Sequence, residues 1–326
     1  MMIIKNFHVS PGKSCYFASL TNLFQYYGID IYEAELYILC NSMYFEFDEA
    51  NFQNNHFSLN IYHSMDLYKT LEQFFDCRIS EIRGFNQQEC VYAIRSKSPP
   101  IMFIRSNALY YHTRHYQLEN IEDTHTTIIY GIDLDQNTAY IADSYIVEDN
   151  GAIATYQGKF PLQQIIQNTE KMLFFTMKSI SPFDRSELYR QMTANIDRFL
   201  EYKFENGKHL GNYAMVKCLT YIKNLAAKQH PCLNNCLKEM TYFISAHFIN
   251  KFDYIIDLLR DKYKEKSIIV TELFNLKTEW IAFSTALFHI SYKKNTARTI
   301  DILDHGIDLV CKQERILQNI KKIIIN

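Results

Sequence analysis

The feature that most limits what this chain can fold into is a change of texture near Ser181. Before it, four runs dense in β-branched and aromatic residues are set off by proline or polar segments: PIMFIR from Pro100, HTTIIYGI from His125, TAYIAD from Thr138 and MLFFTM from Met172. That is the composition of strands. Helical patterns precede them. Leu20, Leu23, Phe24 and Tyr27 repeat at helical spacing up to Gly28, which predicts a helix stopped by a glycine. Further helices are predicted over Tyr32–Cys40, Ser64–Phe75 and Gln87–Arg95. After Ser181 the strand-like runs cease. Asp184, with Glu187 three residues on, reads as a capping box opening a helix with Leu188, Met192, Ile196 and Leu200 on one face. Four more helical segments are predicted over residues 210–228, 233–263, 268–292 and 296–322. The expectation is an α+β domain over residues 1–180, followed by an all-α helical bundle without strands over residues 181–326.

Composition narrows the function. With 48% hydrophobic and 21% charged residues, the chain is expected to be ordered and globular. Its net charge is -2 and its Lys and Arg are scattered, which argues against a nucleic-acid partner. The apolar run at the N-terminus is too short for a signal peptide and no segment reads as a bilayer span, so a cytoplasmic location and no membrane partner are expected. In a reducing compartment most of the eight cysteines should be free, buried and inert. A functional one has to be marked by its surroundings.

Cys15 is so marked. In SPGKSCYFASLTNLFQYYG, from Ser10 to Gly28, it stands where a loop gives way to a helix. A thiol in a first helical turn lies near unpaired N–H groups and the positive end of the helix dipole, and both favour thiolate. Its own N–H would face a developing oxyanion. Taken alone, the position suits a small buried hydrophobe better. A histidine and an acid in the right relation change this. His125 opens one predicted strand and Asp143 closes the next, and a hairpin centred near Leu134 would set them directly opposite each other. A thiol, an imidazole and an orienting carboxylate form the constellation of cysteine catalysis.

These segments carry a resemblance. KSCYFASLTNLFQYYGIDIYEAEL resembles the start of the butirosin biosynthesis protein H family, relatives of the C39 cysteine peptidases with a papain-like fold; the matching positions are Cys15, Ser19, Asn22, Tyr27, Gly28 and Glu35. The stretch from Ala108 to Tyr145 is similar to the family's second block, a Tyr-rich segment before a His-bearing strand, Gly-x-Asp, and a strand ending in Asp. The resemblance implies a papain-like catalytic domain followed by a helical one, with a triad of Cys15, His125 and Asp143. It also implies substrate contacts near Ser14, Asn22, Glu35, Tyr111 and His112. Where C39 peptidases carry a Gln six residues before the cysteine as oxyanion donor, this chain has Val9, which leaves Ser10 or Ser14 as candidate donors; Asn107 stands where an Asp is expected. Members of the family are associated with acyl transfer in antibiotic biosynthesis, and a similar enzyme with amide formation in closthioamide assembly. The implied activity is transfer of an acyl group from an acyl or peptidyl carrier-protein thioester to a small amine, with no cofactor. A peptidase or thioester hydrolase with the same triad, or a silent binding protein on that fold, are the alternatives.

Three other constellations carry less. His230, Cys232, Cys236 and His247 match no common zinc spacing, and the two cysteines fit core packing. Asp133, Asp135 and Asn137 begin like a calcium loop but lack its later ligands. YYHTRHY, from Tyr110 to Tyr116, is either a solvated loop or a lip facing substrate or carrier.

Overall fold

The computed structural model describes residues 1–40, 42–48, 59–60, 67–113, 124–148, 152–179, 183–263, 268–292 and 296–325. The chain divides into two compact units, Met1–Leu36 with Tyr68–Phe183, and Tyr37–Leu67 with Asp184–Asn326. A single break near Ser181 does not anticipate that residues 37–67 belong with the later ones; Ser181 itself lies outside the described residues.

The first unit is an antiparallel sheet with helices against it. Its strands are β1 (Met2–Ile3), β4 (Cys77–Arg83), β5 (Ile101–Arg105), β6 (Thr124–Asp133), β7 (Thr138–Val147), β8 (Ile153–Pro161) and β9 (Thr169–Met177), while β2 (Glu46–Asp48) and β3 (Leu59–Asn60) belong to the second unit. The order is β4-β9-β5-β6-β7-β8, with β1 added to β6. The four strands predicted from sequence are β5, β6, β7 and β9, all interior to this order. The two unpredicted long strands, β4 and β8, are its edges. Edge strands face water, so they lack the apolar runs that mark interior strands.

Helix α1 (Cys15–Tyr26) lies against β6 and β7. Ser14 caps it in extended conformation, its Oγ accepting from Phe17 N at 3.3 Å. Phe17, Leu20, Leu23 and Phe24 are buried. The stop is a Schellman motif: Gly28, at φ +84°, donates to Gln25 O, and Ile29 donates to Phe24 O. Helices α2 (Glu33–Leu39), α3 (Leu67–Phe75), α4 (Gln87–Arg95) and α5 (Leu162–Asn168) follow. The predicted start of α3 at Ser64 lies outside the described residues.

The second unit contains α6 (Ser186–Leu200), α7 (Asn212–Ala227), α8 (Leu233–Phe243), α9 (Ile249–Tyr263), α10 (Ile268–Ser291) and α11 (Thr296–Ile325). The helix expected over residues 233–263 is divided by a π-helical turn, Ile244–Phe248. The capping box does not form. Asp184 Oδ1 accepts from Ser186 N, and Glu187 pairs instead with Arg190. Nor is the unit free of strands, since β10 (Lys203–Glu205) and β11 (Lys208–Leu210) join β2 and β3 in a small sheet. Asn206 and Gly207, at φ 53° and 81°, make the two-residue hairpin turn that an Asn-Gly pair favours. Trp280 packs edge-on to Phe248 and Phe283 in the core. Among the described residues no helix is long and apolar enough to cross a membrane.

Candidate active site

Cys15 is the first residue of α1, and the loop before it is tied down on three sides. Gly12 N donates to Ser144 O at 3.0 Å, beside Asp143. Lys13 N reaches both Glu33 oxygens (2.8 and 3.1 Å), and Ser14 N reaches Glu33 Oε1 (2.9 Å). Ser10 N donates to Asn22 Oδ1, whose amide returns bonds to Ser10 O and Ala18 O. Gly12 is pressed so close that a Cβ there would stand 2.3 Å from Ala18 Cβ and 2.7 Å from Glu33 Oε2. Ser19 Oγ on α1 donates to Thr126 O, the residue after His125, fixing the helix to β6.

His125 sits on β6 opposite Ile104 of β5, and Asp143 on β7 opposite Tyr156 of β8. They are not opposite each other. The β6–β7 pairing runs Ile128 with Ala142 and Ile129 with Ile141, then shifts to Gly131 with Tyr140 around a bulge. Continued by one step, it places Asp143 beside Thr127, two residues from His125. An offset of two keeps both side chains on one face of the sheet, where an offset of one would have parted them. Diagonal neighbours lie within reach of a ring. His125 Nε2 stands 2.9 Å from both Asp143 oxygens.

The carboxylate has more partners than the sequence suggested. His112 Nε2 lies 2.9 Å from Oδ2, and Tyr145 N donates to Oδ1 at 3.0 Å. The Tyr111 hydroxyl is buried beside it, short of regular hydrogen-bond geometry; burial and the Asp143 charge push its pKa well above 10. Asp143 has no solvent exposure. Burial alone would raise its pKa, but the charge of His125 and the bonds from both imidazoles hold it well below the usual carboxylate range. For His125, burial acts downward and is outweighed by the Asp143 charge, by Cys15 and by hydrogen bonds to both, which hold the imidazole well above 6.5. Cys15 is therefore a close electrostatic neighbour of His125, and with Nε2 committed to the carboxylate, Nδ1 is the ring nitrogen left to face the thiol.

Cys15, His125 and Asp143 thus come together. Of the other expected contacts, Tyr111 and His112 meet Asp143, while Ser14, Asn22 and Glu35 are engaged elsewhere. Ser14 caps α1, Asn22 clamps Ser10, and Glu35 is 3% exposed and accepts from Tyr32 N at the start of α2. Its neighbour Glu33 is the acid that reaches the loop before Cys15. Ser10 N and Ser14 N, the candidate oxyanion donors, are spent on Asn22 and Glu33. Asn107 lies in a short 3₁₀ turn, Ser106–Ala108. Tyr110 stacks on Phe160 and Tyr111 on Tyr156. Residues 114–116 of YYHTRHY lie outside the described residues. A cleft of about 510 Å³ opens beside Tyr111, bordered by Ile146, Glu148 and Tyr156.

The donor atoms of His112, His125 and Asp143 lie within 4.8 Å of one another, the one such grouping of three among the described residues. Both Nε2 atoms are committed to the carboxylate, so this is a hydrogen-bonded cluster. Cys232 heads α8 and Cys236 packs in the core, while the His247 side chain is outside the described residues. The remaining thiols underline the position of Cys15. Burial pushes Cys77 up to about 11, Cys90 and Cys236 to about 12, and Cys40 and Cys218 higher still. Cys15 is partly exposed and meets an imidazole.

A family model described as the Peptidase_C39 like family matches residues 3–172, more than half of the chain, and the chain belongs to that family. The matched span holds α1, β6 and β7, and with them the whole cluster. A solved Bacillus anthracis protein described as a C39-like peptidase aligns at 14% identity, over 55% of this chain and 98% of its own, with a TM-score of 0.34. At that score it adds no weight to the assignment. No curated protein matches the chain.

Proposed function

We propose that this member of the C39-like peptidase family is a cysteine-dependent acyltransferase that moves an acyl group from a thioester to an amine. The observation that carries the reading is the partly exposed Cys15 thiol at a helix start, beside an imidazole that a buried carboxylate holds. The Cys15 thiolate attacks the thioester carbonyl, the carbon–sulfur bond to the carrier breaks, and the departing thiol takes the proton of His125. An amine then attacks the acyl-enzyme; a carbon–nitrogen bond forms, the bond to Cys15 breaks, and His125 accepts the amine proton. Asp143 stabilises the imidazolium at each stage.

Oxyanion stabilisation favours a thioester over a peptide bond. In the loop before the nucleophile, the N–H groups of Ser10, Gly12, Lys13 and Ser14 are all bonded within the protein, which leaves the Cys15 N–H as the oxyanion donor this stretch can offer. Removing one oxyanion donor costs about 10²–10³ in rate. A thioester carbonyl, more electrophilic than an amide, needs less help. The cleft beside Tyr111, with Glu148 among its lining residues, suits a cationic amine with an apolar body. A carrier protein is the proposed donor partner, and natural-product assembly the proposed setting. Family membership favours hydrolysis as the second reading.

Intact-mass measurement after mixing with an acyl thioester tests this. A single acyl adduct is expected on the wild type and none on Cys15→Ala, and a primary amine should discharge the adduct to an amide faster than water does. No adduct overturns the nucleophile assignment. An adduct that hydrolyses fast and that no amine accelerates, diamines and aminoglycosides included, overturns transfer in favour of hydrolysis.

A further inference from the structure

His112 lies outside the triad, and its buried ring meets Asp143 directly. It is 6% exposed and its ring centroid lies 4.3 Å from that of His125, at 65°, so the two imidazoles meet edge to face. Each points its Nε2 at the same carboxylate. The segment that delivers it is built for the purpose. His112 N donates to Leu109 O at 2.8 Å in a tight turn, and the two preceding tyrosines are stacked on Phe160 and Tyr156 of β8.

The two carboxylate oxygens have different anchors. Oδ1 is held by Tyr145 N–H and Oδ2 by His112, while His125 Nε2 is shared between them. An Asp side chain turns easily about its last torsion, which has broad and shallow minima. One anchor would leave the carboxylate free to rotate away from His125; two anchors fix its plane. The chemistry of the second anchor also matters. An ionised carboxylate only accepts, so His112 must carry a proton on Nε2. A neutral imidazole meets that demand without adding charge, whereas a cationic group there would compete for the charge that stabilises the His125 imidazolium. A second imidazolium 4.3 Å from the first, in a buried pocket, would be repelled.

The geometry points to His112 as a positioning residue, a neutral Nε2–H donor that locks the Asp143 carboxylate in the orientation that holds His125 against Cys15. It makes the buried site a Cys–His–Asp–His cluster in which one imidazole carries charge and the other does not. This inference rests on the reading of Cys15 as the nucleophile.

Alkylation of Cys15 by iodoacetamide, read peptide by peptide, tests it in the full chain. His112→Leu should slow labelling of Cys15 by about 10²-fold, the scale of a misplaced catalytic group. His112→Gln, whose side-chain amide can offer an N–H from nearly the same place, should recover most of the rate. Labelling of Cys90, a buried thiol of the same unit, should stay unchanged in both, since a merely structural loss would expose it. Unchanged Cys15 labelling in His112→Leu overturns the proposal. So does a Gln variant no better than Leu, or a rise at Cys90 that tracks the fall at Cys15. Nitrogen NMR of the wild type supplies a reading that needs no variant: His112 is expected as the neutral Nε2–H form, and a proton on Nδ1 alone would overturn the clamp. Wild-type Cys15 that labels no faster than Cys232 would instead sink the nucleophile reading, with the NMR result still judging His112.

Discussion

In the first unit one set of buried polar side chains converges: two imidazoles and a tyrosine hydroxyl meet at the Asp143 carboxylate. In the second unit they are dispersed. The Asn195 amide donates to Ile38 O at 2.5 Å, Gln313 donates to Asn212 Oδ1 at 2.8 Å, and the half-buried Lys251 Nζ donates to Tyr44 O at 2.7 Å. Dispersed groups satisfy one another locally, and each can be judged alone. Converging groups share charge, so the proton on one decides the state of the next. Burial of polar side chains is common to both units; coupling belongs to the first.

The largest effect should come from breaking the coupled group at its centre. Asp143→Asn keeps the shape and loses the charge that stabilises the imidazolium. Turnover in thioester aminolysis is expected to fall by about 10⁴-fold without vanishing, the scale seen when a triad carboxylate becomes an amide. Full activity in that variant would mean the convergence has no chemical consequence.

A smaller effect is expected from the dispersed group. Asn195→Ala leaves the buried Ile38 carbonyl without its side-chain donor, at a cost of about 1–3 kcal/mol in urea unfolding. Alkylation of Cys15 should not change, because every partner of Asn195 described above lies in its own unit. Slower alkylation would show that the dispersed group is coupled to the site after all.

The subtlest test is the response to pH above neutrality, where the units should differ in sign. His125 has a raised folded pKa, so its stabilisation is complete below about 6.5 and is lost as pH rises through the raised value. Lys251 behaves oppositely. Burial lowers it to about 7, so the unfolded chain binds more protons than the fold between about pH 7 and the ordinary lysine value of about 10.4, and stability from this group rises across that window. Lys251→Met should therefore remove an upward slope, and His125→Gln a downward one, in unfolding free energy measured against pH. Identical slopes in the wild type and either variant would remove that residue from the comparison.

Much of this was legible in the chain. The interior strands were visible because both their faces are covered and their apolar runs are continuous, and α1 because its glycine stop and apolar spacing agree. Cys15, His125 and Asp143 could be chosen together because a thiol at a helix start needs a base and an orienter. Their register could not be read: the turn is closed by Asp133 and Thr138 and so is not centred on Leu134, and a bulge at Tyr130 then shifts the pairs beyond it by one residue, neither of which is marked in composition. The edge strands and the two- or three-residue strands of the small sheet were too wet or too short for periodicity, although Asn206-Gly207 is a hairpin signal that was there to be used. The carboxylate partner of His112 was not legible: a histidine among tyrosines reads as a lip facing substrate, and only the fold brings it to a carboxylate thirty-one residues away. Glu33 was passed over for Glu35 because the two differ only in which turn of chain they face.

The crowding at Gly12 has an evolutionary reading. Its backbone is not in the left-handed region, so what excludes every other residue is space alone, the methyl of Ala18 on one side and the Glu33 carboxylate on the other. A lineage drifting from this sequence cannot change position 12 by a single step. It would first have to shrink residue 18 to glycine and release the acid that holds the loop, and the intermediate would lose its grip on the nucleophile before gaining anything. Positions 12, 18 and 33 should therefore travel as a linked set among descendants, varying together or not at all, even where the rest of the loop between Ser10 and Cys15 is free to diverge.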